Sequence, residues 1–122
     1  MQSDRTKMAP SQEVVEVTIP NGAALSAAVN LYGFRLAGIQ MPAAWDTAIL
    51  TLQGSLDGAT FYDVYDSDGN AVELDVDDQR FVTVFTGYTA GIPILKLRSG
   101  TSASPVNQTA DRVIKLLLSK VR

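Results

Sequence analysis

Three observations predict an all-β chain, an antiparallel β-sandwich that is jelly-roll-like and carries a flexible N-terminal arm. Apolar and polar residues alternate in short runs, turn signals recur at roughly eight- to twelve-residue spacing, and no long stretch has helical periodicity. The chain has 122 residues, 46% of them hydrophobic. At that size one domain buries roughly two-thirds of the surface its unfolded form exposes. The expected division is an extended arm over residues 1–12 and a single sandwich domain over residues 13–122.

The arm is polar, contains Pro10 and shows no hydrophobic period. Order is expected from Glu13, where Val15, Val17 and Ile19 alternate with Glu16 and Thr18 before the turn signal Pro20-Asn21-Gly22. Residues 23–31 contain good helix formers but are short and bounded by Asn-Gly and Asn30, so a strand is the preferred assignment. Phe34 to Met41 reads as a strand with a bulge at Gly38, ended by Pro42. Trp45 falls in a loop, and Leu50 and Leu52 then share one face of a strand that runs to Ser55.

Leu56-Asp57-Gly58-Ala59 is a turn, followed by a strand over Phe61–Tyr65. Asp68-Gly69 lies between that strand and the alternating run Val72–Val76, which is a hairpin signal of the type I′ kind. Phe81–Phe85 alternates again. A glycine-containing loop leads to Ile94–Arg98, with Leu95 and Leu97 facing opposite to Lys96 and Arg98. Ser99 to Asp111 reads as a long surface connection. Residues 113–121 would suit either a helix capped by Asp111 or a closing strand, and the strand is preferred because the other strands need a partner.

Composition removes whole classes of chemistry. The chain has no Cys and no His, which excludes disulfides, thiolate nucleophiles, Cys-ligated metals, imidazole bases and Ser-His-Asp triads. A net charge of −3 gives no basic footprint for nucleic acid. Apolar runs are far shorter than the roughly 20 residues that cross a bilayer, and the polar start shows no secretory signal. Neither a membrane nor a nucleic acid is an expected partner.

The remaining constellations have structural explanations. Asp66, Asp68 and Asn70 occupy three positions of a calcium loop, but Ala71 stands where that loop needs its turning Gly and Asp77 where it needs a bidentate Glu. Glu73, Asp75, Asp77 and Asp78 could include a glycosidase pair, yet Glu73, Asp75 and Asp77 share a solvent face and read as edge protection. Tyr32, Tyr62, Tyr65, Tyr88 and Trp45 could form an aromatic platform for a sugar ring, though most should serve the core. Trp45 is the exception, since no strand period buries it. Asn107-Gln108-Thr109 has the form of a glycosylation acceptor and fits a surface loop. Ser99-Gly100-Thr101-Ser102 lacks a His base and reads as turn chemistry. No catalytic residue, metal ligand or cofactor site is expected.

Two stretches carry more specific information. Ala24–Leu31 through Gly38–Trp45, with Gln53-Gly54-Ser55-Leu56-Asp57-Gly58-Ala59-Thr60-Phe61-Tyr62, resembles a family of small proteins encoded in tailed-phage structural gene clusters. Leu97–Thr101, Pro105–Gln108 and Asp111-Arg112 are similar to that family's C-terminal signature, so the resemblance spans about residues 13–120. It implies a non-enzymatic virion component of jelly-roll type, a head decoration or cement protein. Its partner would be the major capsid protein. Its location would be the capsid surface, after a period in the host cytoplasm during assembly. Such proteins cluster at symmetry axes, so a homotrimer is expected, with cyclic dimers as the other option. The arm would order on contact with the shell. Pro10, Trp45, Tyr88, Arg98 and Asn107 are the expected contact residues. The alternative is a carbohydrate- or receptor-binding module of a tail or head fibre that uses Trp45 and nearby tyrosines.

Overall fold

The computed structural model describes residues 10–120. Nine strands form in chain order: β1 (Gln12–Ile19), β2 (Val29–Asn30), β3 (Phe34–Gln40), β4 (Leu50–Ser55), β5 (Tyr62–Asp63), β6 (Glu73–Leu74), β7 (Phe81–Thr83), β8 (Ile94–Ser99) and β9 (Arg112–Lys120). A 3-10 turn lies at Thr86–Tyr88. They make two antiparallel sheets, one in the order β1-β9-β3-β7 and one in the order β2-β8-β4-β5, with β6 also on β4. The pairings nest: β1 with β9, β2 with β8 and β3 with β7, while β4 takes β5 and β6. The chain is an all-β antiparallel sandwich, as the alternation predicts.

The apolar alternate positions make the core. Leu36, Ile39, Ile114, Leu116 and Leu118 of the first sheet and Leu50, Leu52, Leu95 and Leu97 of the second are fully buried. Residues 112–120 resolve the helix-or-strand ambiguity in favour of a strand, with burial alternating from Arg112 through Leu116. Period two prevails because β9 is a central strand between β1 and β3, where only alternation buries one complete set of side chains. Asp111 does not cap a helix; its carboxylate accepts the amide N–H of Asn21 at 2.8 Å.

Two local expectations are corrected. The stretch 23–31 enters the ladder only at Val29–Asn30 and at an isolated bridge between Leu25 and Arg98. Between them Ser26 Oγ accepts the Leu97 amide at 3.0 Å, so a side chain replaces a backbone partner and the strand is interrupted. The hairpin at Asp66–Asn70 is not type I′, because Gly69 has φ +84° while Asp68 stays at negative φ. The Gly69 amide bonds to the Asp66 carbonyl and the Asp66 amide to the Asn70 carbonyl, which is a type I turn followed by a left-handed glycine. The bulge predicted in β3 does occur, as a register shift against β9 between Leu36 and Gly38.

Residues 99–111 also depart from a plain surface loop. Gln108 and Ser99 have no exposed surface at all. Of the expected arm, residues 1–9 lie outside the described residues. Pro10 and Ser11 form a turn, and Gln12 already stands opposite Ser119 in the ladder.

Candidate functional site

The five expected contact residues do not converge, and no hydrogen bond, ion pair or ring contact joins any two of them. Pro10 is exposed beside the start of β1, and Asn107 is exposed on the loop before β9. Tyr88 is half-buried and meets Phe85 edge to face, with ring centroids 5.2 Å apart. Trp45 is a correction: only 7% of it is exposed, and its indole N–H donates to the Ala48 carbonyl at 3.0 Å. That hydrogen bond lets the ring enter the core without an unpaired donor, so its face cannot carry a stacking platform.

Arg98 keeps the expected outward orientation but not the expected exposure. It does lie on the outer face of its sheet, but it is buried there, donating to Thr51 Oγ1 at 3.0 Å and to Asp63 Oδ1 at 2.9 Å. The chain after β8 covers it, since Thr51 Oγ1 in turn donates to the Gly100 carbonyl. Gly100 makes that crossing possible: its φ is +88°, and a Cβ there would stand 2.4 Å from the Ser104 carbonyl oxygen. The Arg98 guanidinium is also the main reason that the Asp63 carboxyl titrates below its ordinary range.

A second polar cluster sits at the far end of this loop. Gln108 Oε1 accepts from the Asp46 amide and from Arg112 Nε, and its Nε2 donates to the Asp46 carbonyl and to Ser99 Oγ. Arg112 completes the cluster with a 2.8 Å ion pair to Asp46. Burial pushes the Asp46 carboxyl up, but hydrogen bonds from Thr109 and Arg112 outweigh it and leave the pKa lowered. Both buried arginines are thus matched by carboxylates, and these clusters hold loops in place.

Several large apolar side chains stay open on the surface. A cleft of about 430 Å³ is lined by Leu56, Asp57, Thr60, Tyr62, Ile92 and Pro93. Leu56 is 86% and Tyr62 74% exposed, large values for such side chains. Asp57 Oδ1 is taken by the amides of Ala59 and Thr60 and by Ser55 Oγ, contacts that lower its pKa and keep it ionised. The Asp66 carboxylate is similarly engaged, accepting the amides of Asp68 and Asn70 within the hairpin. Among the described residues no group of three or more Asp and Glu side chains is placed to hold a metal ion.

The outer face of the first sheet carries a further apolar band. Val14 stands opposite Leu117, Leu117 opposite Gly38, and the Phe81 ring lies over Gly38, where a Cβ would come within 2.8 Å of it. Val14, Phe81 and Phe85 are all exposed. Sequence reasoning did not single out Leu56, Phe81 or Phe85. For the two phenylalanines the signal was present, because they share strand parity with Thr83, opposite the inward Val82 and Val84. Comparison with protein-family models, characterised proteins and solved structures finds no match for this chain.

Proposed function

We propose that this chain is a non-enzymatic phage virion structural protein, a head decoration or cement protein that stabilises the shell by binding major capsid subunits. The observation that carries the reading is where side chains remain available. The buried arginines are matched by carboxylates, whereas Val14, Phe81 and Phe85 project from the first sheet as unspent contact surface. The nested strand order is also that of a long antiparallel ribbon wrapped into two sheets, which supports the jelly-roll reading of the sandwich. Jelly rolls serve as viral capsid and lectin domains, and the phage-family resemblance of residues 13–120 favours the first.

The direct test adds purified protein to heads assembled without it. Saturable co-sedimentation, with heads that resist heat better, is the expected result. Failure to associate with heads at any concentration would refute the role.

The cleft beside Tyr62 favours a second reading, a carbohydrate-binding module. An exposed aromatic ring next to an ionised carboxylate suits a sugar's apolar face and hydroxyls. Glycan-array binding that is lost in Tyr62→Ala, with the fold intact, would establish it. Trp45→Ala would not test it, because Trp45 lies in the core.

A further inference from the structure

Among the described residues, β1 is an edge strand that pairs only with β9. Across that ladder the Lys120 amide donates to the Ser11 carbonyl at 2.7 Å. Antiparallel pairs alternate between hydrogen-bonded and non-bonded positions, so Glu13, Val15 and Val17 direct their amides and carbonyls to β9 while Val14, Glu16 and Thr18 direct theirs outward. None of the described backbone groups meets these outward ones. Alongside runs a groove of about 420 Å³, with β1 as one wall and residues 27–30 and Tyr32 as the other.

Two features separate this edge from one that is merely protected. Tyr32 is 77% exposed and is held at φ +50°, the first central position of a tight turn whose Phe34 amide returns to the Leu31 carbonyl. A bulky residue is unfavourable in that left-handed region, and Gly or Asn would relieve it, so the strain is retained with the ring held out at the groove. The groove is also acidic: Glu13 and Glu16 line it, no Lys or Arg does, and neither carboxylate forms an ion pair among the described residues. Lys115 stands opposite Glu16 in the ladder without pairing with it.

These charges decide the occupant. A second copy of β1 laid along the edge would bring Glu against Glu, which is repulsive. A strand carrying Lys or Arg would meet Glu13 and Glu16, and its cation could rest on the Tyr32 ring. We infer that the free edge of β1, with its groove, is a strand-addition site for an extended peptide segment of a partner protein bearing lysine or arginine. The inference rests on the reading of this chain as a contact protein and names the chemistry of that contact. Backbone amides and carbonyls of Val14, Glu16 and Thr18 supply the affinity, and the acidic wall supplies the selectivity.

The test uses the purified protein and two short acetylated peptides, one alternating lysine with threonine or valine, the other with glutamate in place of each lysine. Saturable binding of the basic peptide alone is expected, with slowed hydrogen exchange at the Val14, Glu16 and Thr18 amides. Val14→Pro should weaken binding by roughly tenfold or more with little change in melting temperature, since the N–H it removes faces away from β9. Tyr32→Asn should weaken binding several-fold while the melting temperature holds or rises, a split that a purely structural tyrosine would not show. Glu16→Lys should shift preference towards the acidic peptide. Equal binding of both peptides, protection at other amides, or full affinity in Val14→Pro would each overturn the site. Because no capsid is involved, a negative result with heads and a negative result here remain separate findings.

Discussion

At the scale of single residues, the side chains that fix the loops are the ones whose surroundings a linear reading cannot supply. Gln108 sits in a stretch rich in Ser, Thr, Pro and Asn, which reads as solvent-facing, yet it makes four hydrogen bonds in the interior. Two of those bonds are to Asp46, 62 residues away, and the others are to Ser99 and Arg112. Gln108→Leu should destabilise the protein by about 2–4 kcal/mol in urea unfolding, because Leu would leave a buried amide and an arginine Nε unpaired. Trp45→Ala should lose about 3–5 kcal/mol by the same measurement, as expected for a large side chain removed from the core. Loop position alone suggested exposure for Trp45, and only the acceptor at Ala48 shows how an indole is buried there. The paired carboxylates predict acid behaviour. Asp46 and Asp63 both titrate below the ordinary 3.8 in the folded state, so their contribution to stability is complete above that value and is lost as the pH falls through their depressed range. Melting temperature should therefore fall on acidification below about pH 4, and less steeply in Asp63→Asn.

At the scale of elements, alternation made the long strands legible and side-chain hydrogen bonds hid the short ones. β1, β3, β4 and β8 were readable from period two, because each buries a set of alternate side chains against the opposite sheet, whereas β9, whose apolar run also suits a helix, was assigned as a strand only because the other strands need a partner. β2 was only half readable: the Ser26 hydroxyl takes a ladder position, and no hydrophobicity pattern records that. The turn at Asp66–Asn70 was visible as a turn but not as a type, since Asp-Gly also suits the arrangement in which Gly alone is left-handed. Gly69→Ala should destabilise by about 1 kcal/mol in thermal melts, as a Cβ at positive φ has no neighbour to strike and meets only backbone strain. In β9, Leu116→Ala should lose about 2–5 kcal/mol, the range for a fully buried leucine. A helical β9 would make no comparable demand on alternate positions, so the exposed neighbour Lys115→Ala should be nearly neutral.

At the scale of the whole molecule, the sandwich satisfies its buried arginines from within and leaves apolar side chains and the edge of β1 facing outward. The absence of Cys and His narrowed the chemistry, and the fold then identified which surfaces remain to make contacts. The Tyr62 cleft, the band from Val14 to Phe81 and the acidic edge of β1 were not visible as surfaces in the sequence, because each assembles residues from distant segments. The proposed decoration role goes with a homotrimer, so a solution mass of three times the chain mass is the expected outcome of light scattering. The proposed role in the shell is tested most directly by a cryo-EM reconstruction of the virion. Density for this sandwich at regular positions on the outer surface of the head, contacting more than one capsid subunit, is the predicted result. A complete head reconstruction without that density would contradict the account.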